Sequence, residues 1–263
     1  MYHLNQIPSE TQIRRFLRRT LFGKNMFCPR CRSRKVVRYE MRWRCLACRE
    51  KFTLTSHTWL RGMKLPPIAW WLLLWAWTQG TPIRQTVRLS GRSEEAVRRW
   101  YAAFRAHLPQ EPLILSGVVQ LDEAYGRGWA LLMGKEVRSR KLAYQVIPKG
   151  TVDRQDAFVF LRNHVRPRSR LYTDGAAIYR GIERWWPVRH EKDLHAKWEF
   201  GKTSEIEGIF GNLRTFLRRM YHHVTKQELP EYVGEFVARF SSPELFENPR
   251  NYLEKTLSLV PID

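Results

Sequence analysis

The sequence predicts an α/β fold class, and three observations carry that expectation. Short runs rich in β-branched and apolar residues, such as Val118-Val119-Gln120-Leu121 and Arg170-Leu171-Tyr172-Thr173, end in a carboxylate with glycine close behind. Runs of this length closed by glycine read as buried strands of a central sheet. Between and after them lie stretches with apolar residues at helical spacing, and ahead of them stand two Cys-x-x-Cys pairs.

Composition narrows the class. The 263 residues include 46 Lys and Arg against 25 Asp and Glu, a formal net charge of +21. A hydrophobic share of 43%, with 13% aromatic, is ample for a packed core and excludes a disordered chain. The positive charge is spread over every segment instead of a tail, so a polyanionic partner is expected, nucleic acid first. A ribosomal or membrane-surface partner is the alternative. The start, MYHLNQIPSETQIRRF, lacks the apolar core of a signal peptide. The run from Leu65 to Trp77 is too short to cross a bilayer comfortably and opens with Pro66-Pro67, so it reads as a buried helix. The expected compartment is the cytoplasm, with no membrane partner, and there four cysteines point to metal before disulfide.

Taken in order, residues 1–26 form a basic N-terminal helix, opened by Ser9-Glu10-Thr11-Gln12 and carrying Ile13, Phe16, Leu17 and Leu21 among arginines. Residues 27–56 contain Cys28-Pro29-Arg30-Cys31 and, after thirteen intervening residues, Cys45-Leu46-Ala47-Cys48. Each pair aims two thiolates at one centre, which suits tetrahedral Zn²⁺. Between them, Lys35–Tyr39 and Met41–Arg44 alternate like a hairpin, with Lys51–Leu54 as a third strand. Together these make a zinc ribbon in which four sulfurs leave no open position, so the zinc is structural; a redox pair is the alternative.

Residues 65–108 read as three helices. The last two, Thr81–Leu89 and the segment from Arg92 capped by Ser93, flank Ser90-Gly91 and resemble a helix-turn-helix, with Arg92, Arg98 and Arg99 facing DNA. A plain helical bundle is the alternative. Pro109 and Pro112 mark a linker. From 113 to 240 strands are expected at 114–122, 129–133, 142–147 and 169–173, and helices at 153–164, 176–185 and 204–220. Three consecutive strands, a helix, then a strand bearing an acid is the order of an RNase H-like sheet, in which acids at neighbouring strand ends converge. Residues 241–263 are left as a C-terminal tail.

Asp122 and Asp174 end two of these strands, and Glu205 and Glu207 open the helix at 204–220. A buried carboxylate is costly unless paired or metal-bound. Hard oxygen ligands of this kind hold Mg²⁺, and two ions about 4 Å apart can activate a nucleophile and stabilise a leaving oxygen on a phosphodiester. Ordinary surface acids near turns are the plainer reading. Asp122 would bridge two Mg²⁺ (or Mn²⁺) ions, completed by Asp174 and one glutamate. Two positions along a helix turn a side chain by about 200°, so only one of Glu205 and Glu207 can face the sheet. Glu207 is preferred because Arg214 follows on its face, with Arg218 beyond it on a basic helix suited to DNA. Glu123 points to the other side of its strand. Lys197–Lys202 form a basic loop, Lys135, Arg138, Arg140 and Lys141 a charged surface, and His222-His223 a DNA or structural contact.

The motifs CPRC…CLAC, LDEAYGRG, YTDG with Tyr179 after it, and SEIEGIFGNLR…MYHHV resemble the zinc-ribbon group of DDE insertion-sequence transposases, similar to the eukaryotic Merlin transposases. The resemblance runs from about Phe27 to Phe240. It implies an RNase H-like domain, Mg²⁺-dependent cleavage at transposon ends and strand transfer into target DNA, with a homodimer or larger synaptic assembly at the nucleoid. By motif the DDE acids fall on Asp122, Asp174 and Glu207, and Arg214 stands where the family usually has lysine. The glycine-rich part of the first motif is shorter and more basic than the family pattern. An inert zinc-ribbon and helix-turn-helix regulator, or a nuclease without strand transfer, are the competing functions.

Overall fold

The computed structural model describes residues 7–109, 113–192, 203–222 and 224–260. Pro112, the Lys197–Lys202 loop and His223 lie outside the described residues. The chain divides into two compact units, 1–107 with 244–263, and 108–243.

The first unit begins with α1 (Glu10–Phe22), whose start is fixed by a capping box between Ser9 and Gln12. Its buried stripe, Ile13, Leu17, Leu21 and Phe22, reaches the ribbon, where Phe22 packs on Phe27 and Phe52. The ribbon is an antiparallel sheet in the order β1 (Val36–Tyr39), β2 (Arg42–Cys45), β3 (Lys51–Phe52). Three helices follow: α2 (Pro67–Thr78), α3 (Ile83–Ser90) and α4 (Glu94–Ala106). The Trp-rich α2 is buried along most of its length. Gly91, left-handed at φ 63, ends α3, and Ser93 caps α4 through the Ala96 N–H. Thr86 and Tyr101 share a buried hydroxyl bond that ties α3 to α4.

Residues 241–263, expected to be a tail, are instead ordered over most of their length. A 3₁₀ turn at Pro243–Phe246 leads to α8 (Pro249–Thr256), capped by Asn248. Phe246 and Tyr252 pack on Trp77, and the Tyr252 hydroxyl donates to the Phe104 carbonyl at 2.8 Å. Burial of those aromatics, spaced too far apart to show periodicity, holds the segment down.

The second unit is a five-stranded sheet between helices. Its strands are β4 (Val118–Gly126), β5 (Trp129–Glu136), β6 (Leu142–Ile147), β7 (Arg170–Thr173) and β8 (Arg189–Lys192), in the order β6-β5-β4-β7-β8. β5 runs antiparallel to both neighbours, while β4, β7 and β8 are parallel. This order and polarity are those of the RNase H-like fold. On one face α5 (Arg154–His164) buries Ala157, Phe160 and Leu161 against Val119, Leu121, Leu132 and Leu171. On the other, α6 (Ser204–Met220) and α7 (Leu229–Ser241) cover Leu131 and Met133. The unbroken apolar run in β5 follows from this double burial.

Two expectations shift, and β8 and α7 lie outside the expected elements. The strand placed at 114–122 runs from Val118 to Gly126: Gly117 turns the chain at φ 70 and leaves Leu115 with an isolated bridge to Val165, while pairing with β5 carries the strand past Asp122, which was expected to end it. The helix expected at 176–185 is two 3₁₀ turns, Ala177–Tyr179 and Ile182–Arg184, broken by left-handed Gly181. β8, RHEK in sequence, carries no apolar pattern at all.

Gly134 sits in mid-sheet where a Cβ would lie 2.7 Å from Leu115 Cδ1 and 3.0 Å from the Phe160 ring. Gly134→Ala should therefore destabilise this unit by roughly 1–3 kcal/mol through overpacking, read as a lowered urea midpoint at unchanged slope.

Candidate active site

The site is set by the register of β4. Residues 119, 121 and 123 face α5, while 120, 122 and 124 face α6, since successive strand side chains alternate. Gln120 is paired with Tyr172 across the parallel β4–β7 ladder. Further along, Asp122 lies within β4, opposite Met133 of β5, and Asp174 follows the last residue of β7. The Asp174 side chain accepts from the Ala176 N–H at 3.0 Å, which holds it at the turn.

The α6 end is fastened from within the sheet. Gln120, 3% exposed, accepts the Ile206 N–H at 2.9 Å, a first-turn donor with no partner inside the helix. Lys135 lies opposite Gln120 on β5 and is 2% exposed. Its Nζ reaches Glu205 Oε2 at 3.0 Å and the carbonyls of Glu136 and Ser139 at 2.7 and 2.6 Å. Lys135, read from sequence as charged surface, is thus a buried anchor; it completes the inward alternation of Leu131 and Met133. The glutamate that meets the sheet is thus Glu205, whereas Glu207 is exposed, accepts from Thr203 Oγ1 at 3.1 Å and acts on Asp122 through its charge.

The acids act on one another through their charges, but among the described residues only the four cysteines bring three or more ligand atoms within 4.8 Å of one another. Burial, and after it the charges of Glu123, Asp174 and Glu207, push the Asp122 carboxyl up to about 6. Among the described residues no lysine or arginine forms an ion pair with Asp122, Asp174 or Glu207. Their carboxylate oxygens are the kind of ligand that hard divalent cations take, with the atoms standing further apart than those of a closed coordination sphere. Glu123, on the other face, accepts from the buried Tyr179 hydroxyl and, at 3.2 Å, from Tyr125. Burial raises its pKa despite the Tyr179 bond. It ties the turn after Asp174 to β4 from behind.

In the ribbon the four cysteine sulfurs lie within 4.8 Å of one another. Cys28 and Cys48 are 3.5 Å apart, Cys31 and Cys45 3.6 Å. That is near the roughly 3.8 Å edge of a tetrahedron with Zn–S bonds of about 2.3 Å. Burial pushes the Cys45 thiol up, but the Cys48 and Ala47 N–H groups outweigh it and bring it to about 7. Burial drives Cys28 up to about 12, an expense that a cation at the centre would remove.

The arginines expected at DNA are distributed. Arg99, Arg214 and Arg218 are exposed, and Arg92 is half-buried. Arg98 is tied to Glu94 at 2.7 Å in an exposed pair, a link weak enough to exchange for phosphate. His222 is exposed at the end of α6.

The sequence matches the transposase zinc-ribbon domain over residues 8–51 and the ISXO2-like transposase domain over residues 131–241. The second match includes Asp174 and Glu207 and begins after Asp122. No curated protein matches the chain. Among solved structures, a simian T-cell lymphotropic virus intasome in complex with PP2A regulatory subunit B56 gamma is similar over 64% of this chain and 67% of that one, at 11% identity and a TM-score of 0.36. The catalytic core of BIV integrase is similar over 47% and 82% of the two chains, at 12% identity and a TM-score of 0.34. The HTLV-2 integrase core in complex with magnesium is similar over 49% and 88%, also at 12% identity and a TM-score of 0.34. Among the described residues no helix is long and apolar enough to cross a membrane.

A group whose folded pKa is raised stabilises at low pH and loses that contribution as pH climbs through the folded value. For Asp122 the window runs from 3.8 to about 6. In metal-free protein, the stability of Asp122→Asn relative to the natural chain should rise by about 2 kcal/mol between acid and neutral pH. Urea unfolding across pH 4–7 reads this directly, and parallel curves would refute the buried-charge account.

Proposed function

The chain belongs to the zinc-ribbon DDE insertion-sequence transposases, and from that premise we propose that it binds transposon terminal inverted repeats, cleaves at the ends and joins them to target DNA. The observation that carries this reading is Asp122 within β4, its carboxyl driven up by burial and by the charges of Glu123, Asp174 and Glu207, with no lysine or arginine paired to it among the described residues. Asp122, Asp174 and Glu207 would hold two Mg²⁺ (or Mn²⁺) ions, which when bound supply an activated water or 3′-hydroxyl and stabilise the leaving oxygen.

The protein's own groups do the positioning. Gln120 and Lys135 hold the start of α6 and engage Glu205, which leaves Glu207 as the proposed third ligand. Arg214, two turns along α6, meets a DNA phosphate near the acids, and Arg218 extends that contact. Arg92, Arg98 and Arg99 bind DNA from the helix-turn-helix. The four cysteines would hold a structural Zn²⁺. Joining two ends to one target calls for a homodimer or larger synaptic assembly, working at the nucleoid in the cytoplasm.

Labelled duplexes copied from the DNA flanking this coding sequence, incubated with protein and Mg²⁺, test the reading. Cleavage at a defined end followed by joining to a plasmid is expected. Asp174→Asn should lose at least a thousandfold in both steps while binding DNA as well or better, because one ion loses a ligand and repulsion of phosphate falls. Cutting without joining would favour a nuclease, and specific binding without cutting a regulator. Strong chelator should unfold residues 27–54, whose small core depends on the metal, seen as lost near-UV signal from Trp43. A ribbon folded in chelator would rule out a structural zinc.

A further inference from the structure

The ribbon has a second feature, on the side away from its thiolates. β2 is the central strand, and the register fixes what shares a face: Val37 opposes Arg44, Tyr39 opposes Arg42, and Arg44 opposes Lys51. Directly opposed residues stand on the same side of an antiparallel pair. The alternate set, Trp43, Cys45 and Phe52, turns inward, with Trp43 stacked on Phe52 and Phe52 on Phe22. The outer face is open. Val37 is 42% exposed, Tyr39 38%, and Met41 at the hairpin tip 76%.

Three cations interleave with this apolar surface, and Lys51 Nζ lies 4.7 Å over the Tyr39 ring. Among the described residues none of Arg42, Arg44 and Lys51 forms an ion pair; the ribbon's Glu50 is engaged by Arg30 and His57 instead. Within the ribbon the Lys51–Tyr39 contact engages one of the three cations, and no carboxylate answers any of them among the described residues. Unanswered positive charge beside exposed aromatic and thioether groups complements a nucleic-acid duplex, whose phosphates take the cations and whose groove takes the apolar groups. An acidic protein surface would match the charge but gives no role to Met41 at the tip.

We propose that this face is a DNA-contacting surface: Arg42, Arg44 and Lys51 neutralise phosphates of the duplex at the element's end, and Tyr39 and Met41 enter the adjoining groove. It rests on the transposase reading for the identity of the duplex alone. The arginines of α4 and α6 then account for only part of the DNA contact.

Fluorescence anisotropy of zinc-loaded, full-length protein on a labelled end duplex, without Mg²⁺ and across a salt series, tests it. The double variant Arg42→Gln/Arg44→Gln should bind at least tenfold more weakly at about 0.1 M salt. Its slope of log K against log salt should fall by roughly 1.8, about 0.9 per lost phosphate contact. Met41→Ala should weaken binding with the slope unchanged. Arg38→Gln is the control, since Arg38 is exposed on the same hairpin but opposes Trp43 on the inward set; it should stay within about twofold. Zinc content of one per chain verifies that each variant is folded. An unchanged slope in the double variant, or an equal loss in Arg38→Gln, overturns the proposal. If the natural protein cuts and joins ends while the double variant keeps full affinity, this inference fails and the transposase reading stands. If binding depends on Arg42 and Arg44 but no cutting occurs, the reverse holds.

Discussion

Two polar side chains in the middle of a sheet decide where the acidic helix begins. Gln120 and Lys135 are cross-strand neighbours, almost wholly buried, on the face that α6 and α7 cover. A buried amide or ammonium costs several kcal/mol unless it is answered. Gln120 is answered by a backbone donor of α6 and Lys135 by Glu205, one residue earlier. Both demands are met at a single helix register. Thr203 makes no side-chain cap for this helix, so the sheet itself supplies the acceptor that the first turn lacks.

The same strand separates two tasks by its pleat. Asp122 faces α6 and gathers negative charge with Asp174 and Glu207. Glu123, its neighbour, faces away and spends its two oxygens on tyrosine hydroxyls, one of them following β7. Adjacent acids in one motif thus differ in kind: the first is left unsatisfied by protein donors of opposite charge, the second is fully engaged. The carboxylate cluster is held open on one side because it is braced on the other.

Much of this was legible in the sequence. The thiolate spacing, the capped starts of α1 and α4 and four of the five strands of the second unit follow from local chemistry that sequence displays. What escaped was decided by partners distant in the chain. Lys135 looks like surface charge until β5 is known to be covered on both faces. β8 is a strand because β7 offers it an edge, not because RHEK has a strand pattern. The segment around Gly181 has helical composition, but one left-handed glycine divides it. Glu205 and Glu207 were separable only in part, since their angular difference says that one faces the sheet, and only the structure shows that Glu205 meets its buried lysine while Glu207 is exposed.

The return of α8 to the helices of the first unit has a consequence for synthesis. Tyr252 and Phe246 complete the aromatic core around Trp77 and Phe104, yet they are translated only after all of 108–243. While the ribosome is still at work, the Trp-rich helix waits with part of its apolar surface uncovered, and the five-stranded unit can finish first. Chains interrupted late would carry an intact catalytic sheet beside an incompletely packed aromatic core, so errors near residue 250 fall on the first unit while leaving the acids in place.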